Sequence, residues 1–277
     1  MRPLLAKFLA RLPFYFPKRH GIIKRLWNEG EPPIIRTTSE LSFGNLKMHT
    51  DSRNHIEWQV LLYGCYEKEL VQRLIRLTKN RPRRVAVDIG ANSGQYSLIL
   101  SRYFERVYSF EPVRKFYEKL QANVQLNGIT NIITHNFALG AREDEIKMAI
   151  LENHGLAQTA SWDRGKYDFK DPFHWEPASA RQVRLDDILQ PADKIDFIKI
   201  DTDGSEAEIL EGAVNTLKNS RPLLQIELID YAKYWLGEKS LNDIARFLKN
   251  LGYELYDKNG HRCGRDKLSG NYFAVPV

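Results

Sequence analysis

Hydrophobic positions along the chain follow two rhythms. Short apolar runs, Val85-Ala86-Val87-Asp88-Ile89, Arg106-Val107-Tyr108-Ser109-Phe110 and Ile195-Asp196-Phe197-Ile198-Lys199-Ile200, predict buried strands. Stripes spaced three or four apart predict helices with one buried face: Leu70, Val71, Leu74, Ile75 and Leu77; Phe116, Leu120 and Val124; Ile209, Leu210, Ala213 and Leu217. Further strands are expected over 131–139, 146–151, 221–228, 253–257 and 271–275, and further helices over 95–103 and 241–251. Strand and helix alternate, so the fold class is α/β with a mainly parallel sheet. Its ligands belong outside the carboxyl ends of the strands, where Asp88, Glu111, Asp201 and Glu227 all map.

The flanking segments break these rhythms. In residues 1–27, Leu4, Leu5, Phe8, Leu9 and Leu12 recur at helical spacing beside Lys7 and Arg11, until Pro13 and Pro17 interrupt. This run is too short to cross a bilayer and makes a poor signal-peptide core. Two readings remain open for this arm: peripheral contact with anionic lipid, or docking on its own domain or in a dimer. Residues 28–80 read as a lead-in extension: a small β-rich part with Ile34-Ile35-Arg36 and Leu41-Ser42-Phe43, then a helix from Glu67 to the Arg81-Pro82 stop that packs on the sheet. The main domain is expected over 81–277. Within it, 152–182 is the least regular stretch, either a substrate loop or a rim excursion whose aromatics pack on the body. His154, Trp162 and Trp175 in that stretch are candidate acceptor contacts, because aromatic faces stack well on sugar rings; Asp203 is a further candidate.

With 277 residues, the chain suits one large α/β domain plus an appendage. Its net charge of +6 is concentrated in residues 1–27, which hold seven basic residues and no acid. The near-neutral remainder argues against a nucleic-acid partner, since a phosphate-tracking surface needs basic groups beside the working face. Cys65 and Cys263 lie far apart and outside any C-x-x-C context, so neither a disulfide framework nor a zinc knuckle is suggested and a reducing cytoplasm is the default.

The richest chemistry lies in Asp88-Ile89-Gly90-Ala91-Asn92-Ser93-Gly94, where a buried strand turns into a helix. Dinucleotides and S-adenosylmethionine both favour such turns. The dinucleotide fingerprint is G-x-G-x-x-G, and Asn92 stands where its second glycine would be. The Asp88 carboxylate would repel a pyrophosphate but attract a sulfonium or an ammonium. Glu111, 21 residues after Gly90, suits the hydroxyls of an adenosine ribose, and an adenine would rest by Asn136-Phe137-Ala138. The expected cofactor contacts are therefore Asp88, Gly90, Ala91, Asn92, Gly94, Glu111, Asn136 and Ala138. A nicotinamide oxidoreductase on a doubly wound fold is the alternative that Asn92 and Asp88 disfavour, and an ordinary helix-capping turn is the plainer one.

The chain resembles the FkbM family of S-adenosylmethionine-dependent O-methyltransferases. The resemblance rests on Val87-Asp88-Ile89-Gly90-Ala91-Asn92-Ser93-Gly94, Phe110-Glu111-Pro112, Ala138-Leu139-Gly140, Leu185-Asp186-Asp187, Ile198-Lys199-Ile200-Asp201-Thr202-Asp203-Gly204-Ser205-Glu206 and Glu211-Gly212-Ala213, in that order. It implies a Rossmann-like class I methyltransferase fold, a seven-stranded sheet whose last strand runs antiparallel. It also implies a hydroxylated acceptor, such as a sugar of a surface glycan or a polyketide hydroxyl; the basic arm, outside the resemblance, adds the expectation of a lipid-linked one. The family's usual Asp-Val-Glu-Gly stands here as Asp201-Thr202-Asp203-Gly204, with a shorter acid.

An alcohol is a weak nucleophile at neutral pH and needs a base or a cation. Asp201 is the expected base, with Lys199 or Glu227 shaping its surroundings; the plainer reading makes Asp201 a helix N-cap. No resident metal is assigned, and no His pair has i, i+4 spacing. The minority reading is a Mg²⁺-dependent O-methyltransferase with the ion held by Asp201, Asp203 and Glu227.

Overall fold

The computed structural model describes residues 34–151, 157–158, 175–190, 192–202, 204–228, 241–263 and 268–277. Thirteen strands and eight helices are placed among them. The chain opens with a hairpin, β1 (Arg36–Glu40) and β2 (Lys47–Asp51), followed by helices α1 (His55–Tyr63) and α2 (Lys68–Thr78). The β-rich lead-in is present, but Leu41, Ser42 and Phe43 lie at its turn instead of in a strand, and α1 is an addition that the apolar pattern did not predict. Asn54 caps α1 by accepting from the Glu57 amide at 3.0 Å.

The body then alternates: β3 (Val85–Ile89), α3 (Gln95–Leu100), β4 (Arg106–Phe110), α4 (Arg114–Leu126) and β5 (Ile132–His135). After an excursion come β10 (Ile195–Ile200), the short α6 (Glu206–Glu211) and α7 (Val214–Ser220), β11 (Leu223–Leu228), α8 (Leu241–Asn250), β12 (Tyr253–Asp257) and β13 (Gly270–Pro276). Seven of these strands form one sheet in the order β12-β13-β11-β10-β3-β4-β5. Strands β11, β10, β3, β4 and β5 pair in parallel, while β13, the last in sequence, runs antiparallel between β11 and β12. This is the class I methyltransferase arrangement.

The excursion differs from expectation. The apolar stretch 131–139 is not one strand: β5 joins the main sheet, and β6 (Ala138–Leu139) leaves it for a second sheet of order β6-β9-β7-β8. In that sheet β7 (Asp144–Leu151) pairs along its whole length with β9 (Trp175–Val183), and β8 (Ala157–Gln158) flanks β7. Residues 175–182, expected to be irregular, are therefore a strand whose backbone groups are satisfied by β7. The helix α5 (Leu185–Ile188) returns the chain to β10.

Every residue of β3 is buried, as a central strand covered on both faces requires. One face of the sheet packs Val87, Ile198, Ile200, Leu224 and Ile226 against α6, α7 and α8 through Ile209, Leu217 and Leu248. The other packs Ala86, Val107, Phe197, Leu223 and Phe273 against Leu70 and Leu74 of α2. The lead-in helix thus shares the core of the sheet, as its apolar stripe predicts.

Candidate active site

Each parallel strand delivers its terminal residues to the same rim. β3 runs into a loop in which Gly90, Asn92 and Gly94 have φ of 76°, 51° and 95°. A side chain on Gly90 would put its Cβ 1.9 Å from the Asp201 carbonyl oxygen, so glycine is what allows the end of β10 to lie against this loop. Gly94 likewise faces Leu120 of α4, where a Cβ would sit 2.5 Å from Cδ1. Asn92 takes the left-handed backbone that Asn tolerates better than most residues, and its side chain accepts from the Ser93 amide at 2.8 Å. The amides of Gly90 and Ala91 donate to the Phe110 carbonyl, which ties the loop to β4.

Glu111, at the end of β4, is buried and accepts from the amides of Asn92 and Val113, both at 2.8 Å. Burial outweighs these bonds and pushes its carboxyl up to about 7. Asn136 donates to the carbonyls of Glu111 and Pro112, so it holds the segment after β4, while Ala138 is buried in β6. Phe137 packs against Phe110 and His135, with ring centroids 5.6 and 5.0 Å apart.

Asp88 lies lower than its position at a strand end suggested. It is fully buried, accepts from the Ser97 hydroxyl at 2.5 Å, and its Oδ1 sits 3.8 Å from Lys199 Nζ. It therefore lies beneath the rim, between Ser97 and Lys199. Burial raises its pKa, with Lys199 and Ser97 opposing.

Lys199 of β10 is the only lysine or arginine buried among the described residues. Its Nζ meets Asp201 Oδ2 at 2.9 Å and stands 4.8 Å over the Tyr96 ring. Desolvation pulls its pKa down, but Asp201, Asp88 and Glu67 together overcome this and raise it. For Asp201, burial pushes upward, while Lys199 and a hydrogen bond shared with Glu227 prevail and hold the carboxyl below the usual range. Glu206, the first residue of α6, folds back on the preceding loop: it accepts from the amides of Thr202 and Gly204 and from the Thr202 hydroxyl.

Sequence reasoning missed Glu67. This residue precedes α2 with φ of 52°, yet its side chain caps nothing and instead reaches the rim. Tyr96 OH donates to its Oε2 and Asn271 Nδ2 to its Oε1, each at 3.1 Å; Asn271 also donates to Glu227 at 3.3 Å. Gln225 supports Tyr96 at 3.0 Å. Burial, then the charge of Asp201, push Glu67 up to about 7 despite Lys199 and the two donors. No motif announces it, because the apolar stripe of α2 begins only after it.

Of the candidate acceptor contacts, His154, Trp162 and Asp203 lie outside the described residues, and Trp175 begins β9 with its backbone opposite Leu151. Among the described residues no group of three His, Cys, Asp or Glu is arranged to hold a metal ion, and Cys65 and Cys263 are free thiols. Nor is any helix among them long and apolar enough to cross a membrane.

Residues 88–255, more than half of the chain, match the family described as the methyltransferase FkbM domain. The chain belongs to the FkbM methyltransferase family. Methyltransferase sdnD of Sordaria araneosa is 26% identical over 152 residues, which cover 46% of this chain and 59% of that protein. A crystal structure of methyltransferase FkbM from Methylobacillus flagellatus KT is 21% identical, with a TM-score of 0.46 over 70% of this chain and 44% of that one. TYW2 of M. jannaschii, solved in complex with AdoMet, is 11% identical, with a TM-score of 0.41 over 86% of this chain and 83% of that one. The chain therefore spans 59% of the length of sdnD and 44% of that of the solved FkbM protein.

Within the FkbM motifs, structural and chemical parts now separate. Gly140 and Gly212 serve close approach, since a Cβ on Gly212 would meet the Gly140 oxygen at 2.0 Å. Asp186 accepts from the amides of Asn215 and Thr216 and so caps α7. Asp88, Glu111, Lys199 and Asp201 converge on the rim.

Proposed function

We propose that the protein is an S-adenosylmethionine-dependent O-methyltransferase acting on a hydroxyl of a sugar or similarly hydroxylated acceptor. The observation that carries this is a charge imbalance: five carboxyl groups, Glu67, Asp88, Glu111, Asp201 and Glu227, gather around one buried lysine. Burial raises the pKa of Glu67, Asp88 and Glu111, so a cation seated beside them would favour their charged forms. Asp88 Oδ1 is buried without a hydrogen-bond partner. A sulfonium with an α-ammonium group fits such a rim, and a dinucleotide pyrophosphate does not.

The glycine loop and Glu111 would hold the donor's adenosine, with Asp88 and Asp201 supplying the field beneath its cationic end. The donor contributes an electrophilic methyl group; orienting the acceptor, excluding water and receiving the proton fall to the chain. Alignment of two reactants is worth about 7–11 kcal/mol at best, so positioning is the main contribution. The pairing of Asp201 with Lys199 makes it a weaker base than its place in the motif suggests, and we assign this pair to electrostatic positioning.

Isothermal titration of the full chain with S-adenosylhomocysteine and with NAD tests the reading. Binding of the former without the latter supports it, and binding of NAD alone overturns it.

A further inference from the structure

Beside the rim lies a cleft of about 750 Å³, within the size range of small-molecule sites. Its walls are α1 and the start of α2 on one side and the ends of β12 and β13 on the other. Gln59, Tyr63, Asn259 and Ser269 contribute amide and hydroxyl groups, and Glu67 and Asn271 lie where the cleft meets the carboxylate rim. We propose that this cleft binds the methyl acceptor, a neutral polyhydroxylated compound, and that Glu67 accepts the proton of the hydroxyl being methylated. The proposal rests on the methyl-transfer reading above and adds the acceptor site and its base.

Three observations lead there. First, Asn271 bridges Glu67 to Glu227, and Glu227 shares a hydrogen bond with Asp201, so a short hydrogen-bonded chain joins the wall of the cleft to the place assigned to the methyl donor. Second, Glu67 holds a left-handed backbone that disfavours a non-glycine residue, and its carboxylate reaches the rim in place of capping the helix. The lead-in is fastened to hold it there: Gln95 accepts from the Tyr66 amide at 2.6 Å and donates to the Tyr66 carbonyl at 3.1 Å. Third, the cleft mixes charges of both signs, with Lys258 4.0 Å from Glu69, among neutral amides. This lining matches a sugar, whose hydroxyls donate and accept, better than it matches a phosphate or a carboxylate.

Glu67 also titrates near neutrality, with its carboxyl at about 7, as an effective base should. In the transfer step the acceptor oxygen forms a new bond to the methyl carbon as the sulfur–carbon bond breaks, its electron pair staying on sulfur. The hydroxyl proton passes to Glu67 and from there to solvent through the cleft.

The test uses the full chain saturated with S-adenosylhomocysteine and a panel of methyl glycosides of hexoses and 6-deoxyhexoses, read by saturation-transfer NMR. Glycoside signals are expected in the parent protein. They should be lost in Asn259→Trp, an exposed position that would plug the cleft, while the affinity for S-adenosylhomocysteine stays within about threefold. For any glycoside that binds, transfer of labelled methyl should fall at least about 100-fold in Glu67→Gln while the glycoside signals persist, with partial recovery of transfer in Glu67→Asp. If no glycoside binds a protein that binds S-adenosylhomocysteine, or glycosides bind Asn259→Trp as well as the parent, the cleft assignment is overturned. Parent-like transfer by Glu67→Gln overturns the base assignment. Loss of S-adenosylhomocysteine binding in the parent protein strikes instead at the methyl-donor reading.

Discussion

The sheet side and the lead-in side of the rim bury their carboxylates differently. Just after β10, Asp201 contacts the Lys199 ammonium at 2.9 Å and is held in its charged form. At the start of α2, Glu67 receives only neutral donors, Tyr96 and Asn271, and its proton is released near neutrality. Glu111 repeats the second pattern with two backbone amides. A buried acid keeps its charge when a cation touches it; neutral hydrogen bonds soften the desolvation penalty without cancelling it. One rim therefore offers both a fixed field and groups that can move protons.

Removing the cation breaks this contrast most severely. In Lys199→Met, Asp88 and Asp201 lose their common partner, and the expected loss is about 3–5 kcal/mol of unfolding free energy by urea denaturation. Adding Asp88→Asn to that variant should restore part of the loss, because one buried charge is then gone.

The lead-in pattern can be sharpened by pH. Folded Glu67 and Glu111 sit at about 7 against an ordinary value of 4.5, so the folded chain binds their protons more tightly than the unfolded chain does. Their contribution to stability is then full below pH 4.5 and is lost as pH rises toward about 7. The expected fall is at most about 3 kcal/mol for each residue. Glu111→Gln should flatten that slope in urea titrations run at several pH values.

A smaller effect is expected within the sheet side, where the loop after β3 meets the end of β10. Gly90→Ala drives a Cβ into the Asp201 carbonyl, and the displaced backbone should cost about 1–3 kcal/mol in thermal unfolding. The surface pair Arg114–Glu118, 2.7 Å apart and largely exposed, supplies the reference. Glu118→Gln should change stability by no more than about 0.5 kcal/mol, since water screens what burial magnifies at Lys199.

Much of the sheet was legible in the chain because buried strands are rich in apolar residues: 85–89 and 195–200 stand out for that reason, each with only one or two charged residues. The second sheet was not. Residues 175–182 alternate weakly, and only pairing with β7 makes them a strand; at 131–139 one apolar stretch hid the departure of β6 from the main sheet. Helix α1 escaped because apolar residues are spread around it instead of forming a stripe. At the site, the strand-end acids were legible from their position, but Asp88 lies beneath the rim, a depth that no motif encodes. Glu67 was hidden by distance along the chain: its partners Tyr96 and Asn271 are 29 and 204 residues away.

The central claim is that unbalanced carboxylates on the rim seat a cationic methyl donor. Its most direct test is the proton count on binding S-adenosylmethionine near pH 7, measured by calorimetry in two buffers of different ionisation enthalpy. An arriving cation should drive Glu67 and Glu111 toward their charged forms, so net proton release is predicted, with less release for neutral-sulfur S-adenosylhomocysteine and less in Glu111→Gln. Binding with no proton exchange, or with proton uptake, would contradict the account.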